Sequence, residues 1–159
     1  MNKPLWMHIA EQYIGQREIK GVTHNTLIVG WWKKIKRGGI KTDEVPWCAA
    51  FVGAMLEDAT IKSSRFESAK SYLTWGTKLD KPAYGCIVVF SRDGGGHVGF
   101  VAGQDAKGNL LVLGGNQSDM VSVRAFVRDN VVGYRWPHEV PLPDESLPIA
   151  SAESSGSVV

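Results

Sequence analysis

The strongest constraint on the fold is a change of hydrophobic pattern at Pro82. Before Pro82 the apolar residues recur at helical spacing, and after it they form short β-branched runs separated by glycines and polar residues. Helices followed by strands, rather than alternating with them, predict an α+β domain whose helices pack on one face of an antiparallel sheet. A chain of 159 residues is long enough to bury such a core without disulfides or structural metal.

Three helices are predicted before Pro82, each with a recognisable boundary. They cover residues 4–14, ended by Gly15, residues 26–36, capped by Asn25, and residues 46–56, opened by Pro46. A fourth, short helix is predicted over residues 68–75. The third helix is apolar on almost all sides, so we expect it to be buried.

About five strands are predicted after Pro82. They cover residues 86–91, 97–102, 110–113, 121–126 and 131–136. Glycine-rich and polar turns separate them, and a turn at residues 106–109 would make the second and third of these strands hairpin neighbours.

The ends of the chain differ in character from its middle. From residue 140 onward the sequence is rich in Pro, Ser and Glu, so we expect one folded domain over 1–139 and a disordered tail over 140–159. No apolar run approaches the roughly 20 residues of a membrane span. The first residues lack a small-residue cleavage site, so we expect synthesis without a signal peptide.

Cys48 is the first candidate for chemistry, because the pattern places it in the first turn of the buried third helix. The free N–H groups and positive dipole of a helix N-terminus stabilise a thiolate, which predicts a lowered cysteine pKa and a nucleophilic sulfur. The same N–H groups can hold the oxyanion that forms when an amide carbonyl is attacked. The competing interpretation is a small cysteine that only fills the core.

His97 and Asn116 complete a possible catalytic set. His97 opens a strand directly after three glycines, where it could act as a general base toward a thiol. Asn116 ends the next strand, so the hairpin would bring both residues to one edge of the sheet. An amide oxygen there could orient the imidazole, with Gln117 as the alternative to Asn116.

No metal or other cofactor is predicted. The histidines show no H-E-x-x-H pattern, the two cysteines do not form a C-x-x-C pair, and no acidic loop has calcium-ligand spacing. The net charge of +2 gives no reason to expect a nucleic-acid partner.

The amino-acid sequences of four segments resemble motifs of the papain-like cell-wall cysteine hydrolases of the CHAP and NlpC type, particularly small single-domain phage endolysins. The segments are Trp47-Cys48-Ala49-Ala50-Phe51-Val52, Tyr84-Gly85-Cys86-Ile87-Val88-Val89-Phe90, Gly96-His97-Val98-Gly99-Phe100-Val101 and Gly114-Gly115-Asn116-Gln117. The chain departs from the family pattern at Cys86, where an aspartate is usual, and at Gly115, where some members have glutamate.

The resemblance implies a papain-like fold and a peptidoglycan hydrolase in which Cys48 is the nucleophile, His97 the base and Asn116 the orienting residue. The implied reaction cuts an amide bond of the cell wall through a thioester. Trp47 and Glu44 beside the nucleophile, together with Gln117, are the expected substrate-binding residues.

Three other functions share the same residues. They are an acyltransferase, an interbacterial amidase toxin and a non-catalytic wall-binding module. We expect a monomer that is made in the bacterial cytoplasm and acts on periplasmic peptidoglycan after release, without stable insertion into the membrane.

Overall fold

The computed structural model describes residues 3–20, 24–43 and 45–150. Within these ranges the α-helices precede the strands, and five of the six strands follow Pro82, where the pattern changes. The three α-helices are α1 (Leu5–Glu11), α2 (Thr26–Lys34) and α3 (Cys48–Asp58). Two 3-10 helices follow, Ala69–Thr74 and Arg128–Asn130.

The strands form a single antiparallel sheet of six strands. They are β1 (Thr77–Leu79), β2 (Ile87–Arg92), β3 (Gly95–Gln104), β4 (Leu110–Gly114), β5 (Ser122–Phe126) and β6 (Val131–Trp136). Their spatial order is β1-β6-β2-β3-β4-β5. The predicted α+β class is confirmed, and the architecture is compatible with a papain-like fold.

Two elements differ from the sequence prediction. The strand β1 was not predicted, because its three residues show no alternation and it exists only by pairing with the distant strand β6. The predicted helix over 68–75 is a 3-10 helix, and its start is fixed by Ser68, whose hydroxyl accepts from the backbone N–H of Lys70.

Helix α2 begins where the sequence predicts. The Asn25 side-chain oxygen accepts hydrogen bonds from the backbone N–H groups of Leu27 and Ile28, at 2.9 and 3.4 Å. These bonds satisfy donors that the first turn of a helix leaves free.

Helix α3 is the centre of the core. Every side chain from Cys48 to Leu56 is buried, as expected for a helix without a polar face. It packs against α1 and α2 on one side and against β3 and β4 on the other. Gly53 allows close packing, because a Cβ there would lie 2.5 Å from Ile35. The N-terminus of α3 is therefore held rigidly beside the sheet.

The sheet is strongly curled. Phe126 at the end of β5 stacks on Phe90 of β2 with ring centroids 4.9 Å apart, although β3 and β4 separate these strands in the sheet. The connection from β5 to β6 is correspondingly short, residues 127–130.

The division into a domain over 1–139 and a disordered tail over 140–159 stays a prediction. Residues 151–159 of that tail lie outside the described residues. Residues 148–150 run beside β3, where Gln104 donates its backbone N–H to Pro148 and accepts from Ala150. No helix of the described residues is long and apolar enough to cross a membrane.

Candidate active site

Cys48 is the first residue of α3, and Trp47 is the N-cap. The cysteine is buried, with 6% of its surface exposed. Its sulfur interacts with its own backbone N–H, with that of Ala49, and with that of Val98, the residue after His97 in β3. The contact with Val98 brings the helix start and the histidine-bearing strand to one place.

The pKa of Cys48 differs from the sequence prediction. Burial raises the pKa of the thiol, and the backbone N–H groups of Val98 and Ala49 offset that effect only in part. The helix N-terminus was expected to lower the pKa, but the loss of solvation is the larger effect. Cys48 therefore rests as a neutral thiol and needs a base to become nucleophilic.

His97 lies in β3, buried to 1% exposure, and its imidazole is held by Gln117. The Nε2 atom of His97 lies 2.8 Å from the side-chain oxygen Oε1 of Gln117. Gln117 is itself buried, and its amide nitrogen donates to the backbone carbonyls of Val112 at 3.1 Å and Ser122 at 2.9 Å.

These hydrogen bonds fix the tautomer of the imidazole. The carbonyls of Val112 and Ser122 can only accept, so the Gln117 group facing them must be its NH₂. The Gln117 atom facing His97 is then an acceptor, and Nε2 of His97 must carry the proton. The other nitrogen, Nδ1, is left unprotonated and can accept a proton from a thiol.

Asn116 does not form the hydrogen bond to His97 that the sequence analysis predicted. The structure brings Gln117, and not Asn116, to His97. Asn116 lies in the turn after β4 with φ at +58°, a left-handed conformation that asparagine tolerates well. Within the described residues its side chain has no hydrogen bond, whereas the following residue turns its amide back into the sheet.

Two phenylalanines complete the surroundings of the imidazole. The Phe126 ring stacks on that of His97 with centroids 5.5 Å apart and planes 17° apart, and Phe90 lies at 6.2 Å. Sequence reasoning missed both residues. The register between β2 and β3 puts Phe90 opposite His97, but only the curl of the sheet brings Phe126 there.

This apolar surrounding controls the charge of His97. Burial lowers the pKa of the imidazole to about 4, although the hydrogen bond to Gln117 raises it, and the nearby Arg92 lowers it further. At neutral pH the resting pair is therefore a thiol and a neutral imidazole, which suits a general base.

Trp47 lies in the core rather than on a substrate surface, which corrects its predicted role. It is 0% exposed, and its indole N–H donates to Glu18 at 3.1 Å. A Cβ on Gly115 would lie 2.7 Å from the Trp47 ring and 2.6 Å from Cβ of Phe51. The larger glutamate that some related proteins carry at this position does not fit here.

The other predicted substrate-binding residues have different outcomes. Gln117 is buried and occupied with His97, so it offers no free group to a substrate. Glu44 lies outside the described residues.

Asp43 anchors the loop before the nucleophile. Its carboxylate is fully buried and accepts from the backbone N–H of Ile19 at 2.6 Å and of Asn25 at 2.7 Å, and it pairs with His24. Burial alone would raise the pKa of Asp43, but these hydrogen bonds outweigh it and lower the pKa. Asp43 therefore serves as a charged anchor for the chain entering α3.

No group of three or more potential metal ligands occurs among the described His, Cys, Asp and Glu residues. The contact between Cys48 and β3 and the hydrogen bond between His97 and Gln117 define the candidate site as Cys48, His97 and Gln117.

One family of known proteins is similar to the part of the chain that carries Cys48 and His97. The family described as CHAP domain matches residues 40–116, a range that contains Cys48 and His97 and ends at Asn116. No curated protein matches the chain.

Proposed function

Because residues 40–116 match the family described as CHAP domain, we propose that the chain is a cysteine amidohydrolase that cuts an amide bond of peptidoglycan through a thioester. CHAP domains are typically amidohydrolases that depend on a cysteine and a histidine and act on peptidoglycan. The observation that carries the mechanism is the hydrogen bond between Nε2 of His97 and Gln117, because it leaves Nδ1 free to act as the base.

In the proposed first step Nδ1 of His97 takes the thiol proton of Cys48, and the sulfur attacks the substrate carbonyl. The backbone N–H groups of Cys48 and Ala49 at the start of α3 are the available donors for the oxyanion. The protonated imidazole then gives its proton to the leaving amine, and an S-acyl bond replaces the amide bond.

In the second step water attacks the thioester, and Nδ1 of His97 accepts the proton of that water. The carboxylic acid product leaves, and the proton returns to the sulfur of Cys48. Gln117 acts as the orienting residue in both steps, in place of the Asn116 that the sequence favoured.

We further propose the biological setting that the motif resemblance suggests, an endolysin made in the bacterial cytoplasm and acting on periplasmic peptidoglycan after release. Co-expression with and without a pore-forming lysis partner tests it. Lysis only in the presence of that partner supports the setting, and lysis by the enzyme alone contradicts it.

The test of the enzymatic proposal is mass spectrometry of purified peptidoglycan digested by the wild type, by Cys48→Ala, and by Cys86→Ala as the matched control. Cys86 is the other buried free cysteine, at the entry to β2. New amine and carboxylate ends with the wild type and Cys86→Ala, and none with Cys48→Ala, are expected. Equal products from all three proteins would contradict the proposal.

The same digest with an added amine separates hydrolysis from acyl transfer. Free carboxylate ends in the presence of the amine support a hydrolase. Products in which the amine has replaced water would identify an acyltransferase that uses the same residues.

A further inference from the structure

Two cations lie beside the candidate catalytic pair, and the mechanism above uses neither of them. Arg92 ends β2, where it is the partner of Gly95 in β3, two residues before His97. Lys70 belongs to the 3-10 helix Ala69–Thr74, which packs against β3. Both side chains belong to exposed residues.

Lys70 reaches the backbone directly before the histidine. A Cβ built on Gly96 would lie 3.3 Å from Cγ and 3.4 Å from Cε of Lys70, so the aliphatic stem of the lysine crosses this glycine. Gly96 directly precedes His97, and Val98 directly follows it. The N–H of Val98 contacts the sulfur of Cys48, so the Lys70 stem lies beside the short stretch of β3 that carries both the histidine and this contact.

The charge of Arg92 is felt at both candidate catalytic residues. It lowers the pKa of the Cys48 thiol and of the His97 imidazole, although burial has the larger effect on each. Arg92 therefore lies near enough to act on an anionic group bound at the same place.

Neither cation is neutralised within the described part of the chain. The ion pairs found there involve other lysines and arginines, and Lys70 and Arg92 take part in none of them. These two exposed cations lie next to a thiol and a neutral imidazole, neither of which carries a charge that would offset them.

We propose that Lys70 and Arg92 bind a free carboxylate of the substrate peptide and so select acidic stem peptides over amidated ones. The inference rests on the proposed peptidoglycan activity and adds to it a substrate class and two specificity residues. A stem peptide offers such a carboxylate at an isoglutamyl residue or at its C-terminus, and both have the same chemistry toward these cations.

The test uses three synthetic stem peptides, one unmodified, one amidated at the isoglutamyl carboxyl and one amidated at the C-terminus. Cleavage is measured with the wild type, Lys70→Met, Arg92→Met and the control Lys78→Met, which removes an exposed lysine on the edge strand β1, separated from β2 by β6. Binding of the same peptides is measured with Cys48→Ala, alone and combined with each substitution.

We expect the wild type to cleave the unmodified peptide better than one of the two amidated peptides, mainly through a lower KM. The position of the amide in the poorly cleaved peptide identifies the carboxylate that is bound. Lys70→Met and Arg92→Met should each reduce the preference by about fivefold, as for a partly exposed ion pair. Lys78→Met should leave it unchanged.

Equal cleavage of all three peptides by the wild type, or an equal effect of Lys78→Met, would overturn the inference. The wild type could cleave none of the peptides while Cys48→Ala binds the unmodified peptide better than the amidated ones. If adding Lys70→Met then removes that binding preference, the proposed activity fails and the carboxylate site stands. Absence of both cleavage and preferential binding would overturn both.

Discussion

Replacing Gln117 with Met removes the amide that holds His97 while keeping a side chain of similar length. The native amide bonds to Nε2 of His97 at 2.8 Å and to the carbonyls of Val112 and Ser122 at 3.1 and 2.9 Å. A thioether replaces none of these bonds well, so the imidazole loses both its orientation and its fixed tautomer.

The expected size of the effect follows from those bonds. A buried polar group left without a partner costs about 1–3 kcal/mol, so Gln117→Met should lower the free energy of unfolding by about 2–5 kcal/mol. Loss of the correct imidazole tautomer should lower kcat by about 10²–10⁴-fold. Urea unfolding measures the first effect, and steady-state cleavage of a stem peptide, at a temperature where the variant is folded, measures the second.

The matched control is Asn116→Gly, which removes the neighbouring amide and still permits the φ of +58°. This variant should retain kcat within about threefold, because a residue outside the hydrogen-bond network contributes little to orientation. If Asn116→Gly loses activity as severely as Gln117→Met while remaining folded, the assignment of Gln117 as the orienting residue is refuted.

Three further predictions concern charge, packing and reactivity. The pKa of His97 is lowered to about 4, so between pH 6.5 and 4 the unfolded chain binds a proton that the folded chain does not, and this should lower stability by about 3 kcal/mol as the pH falls. Urea unfolding at several pH values should show that His97→Gln removes this contribution. Gly115→Ala should cost about 1–3 kcal/mol in thermal unfolding, since its Cβ would overlap the ring of Trp47, and unchanged stability would contradict that packing. Iodoacetamide should alkylate Cys48 faster than Cys86 in the native protein, because Cys48 is 6% exposed and Cys86 is 0% exposed. Peptide mapping measures both rates, and modification of Cys86 before Cys48 would contradict this difference in exposure.

Much of the fold could be predicted from periodicity. The five predicted strands each overlap an observed one, because β-branched runs between glycines report a strand locally. The strand β1 has no such local signal and depends on pairing with β6, so no sequence pattern could have indicated it.

The candidate site was predictable in part. Cys48 and His97 have local signals, a helix start and a glycine-flanked strand start, and the structure brings these two elements together. The choice between Asn116 and Gln117 depends on the left-handed turn after β4, which decides which amide faces the sheet. The burial of Trp47 and the raised pKa of Cys48 depend on tertiary packing, which a single sequence does not reveal.

The central claim is that Cys48 forms a thioester with the acyl part of a peptidoglycan stem. The most direct measurement is intact-protein mass spectrometry after rapid acid quenching of a reaction with a stem peptide, followed by mapping of the modified residue. We predict a transient mass increase equal to the acyl fragment, carried by Cys48 and absent in Cys48→Ala. Cleavage of the stem peptide by Cys48→Ala would contradict the claim. An adduct on another residue of the wild type would contradict it too.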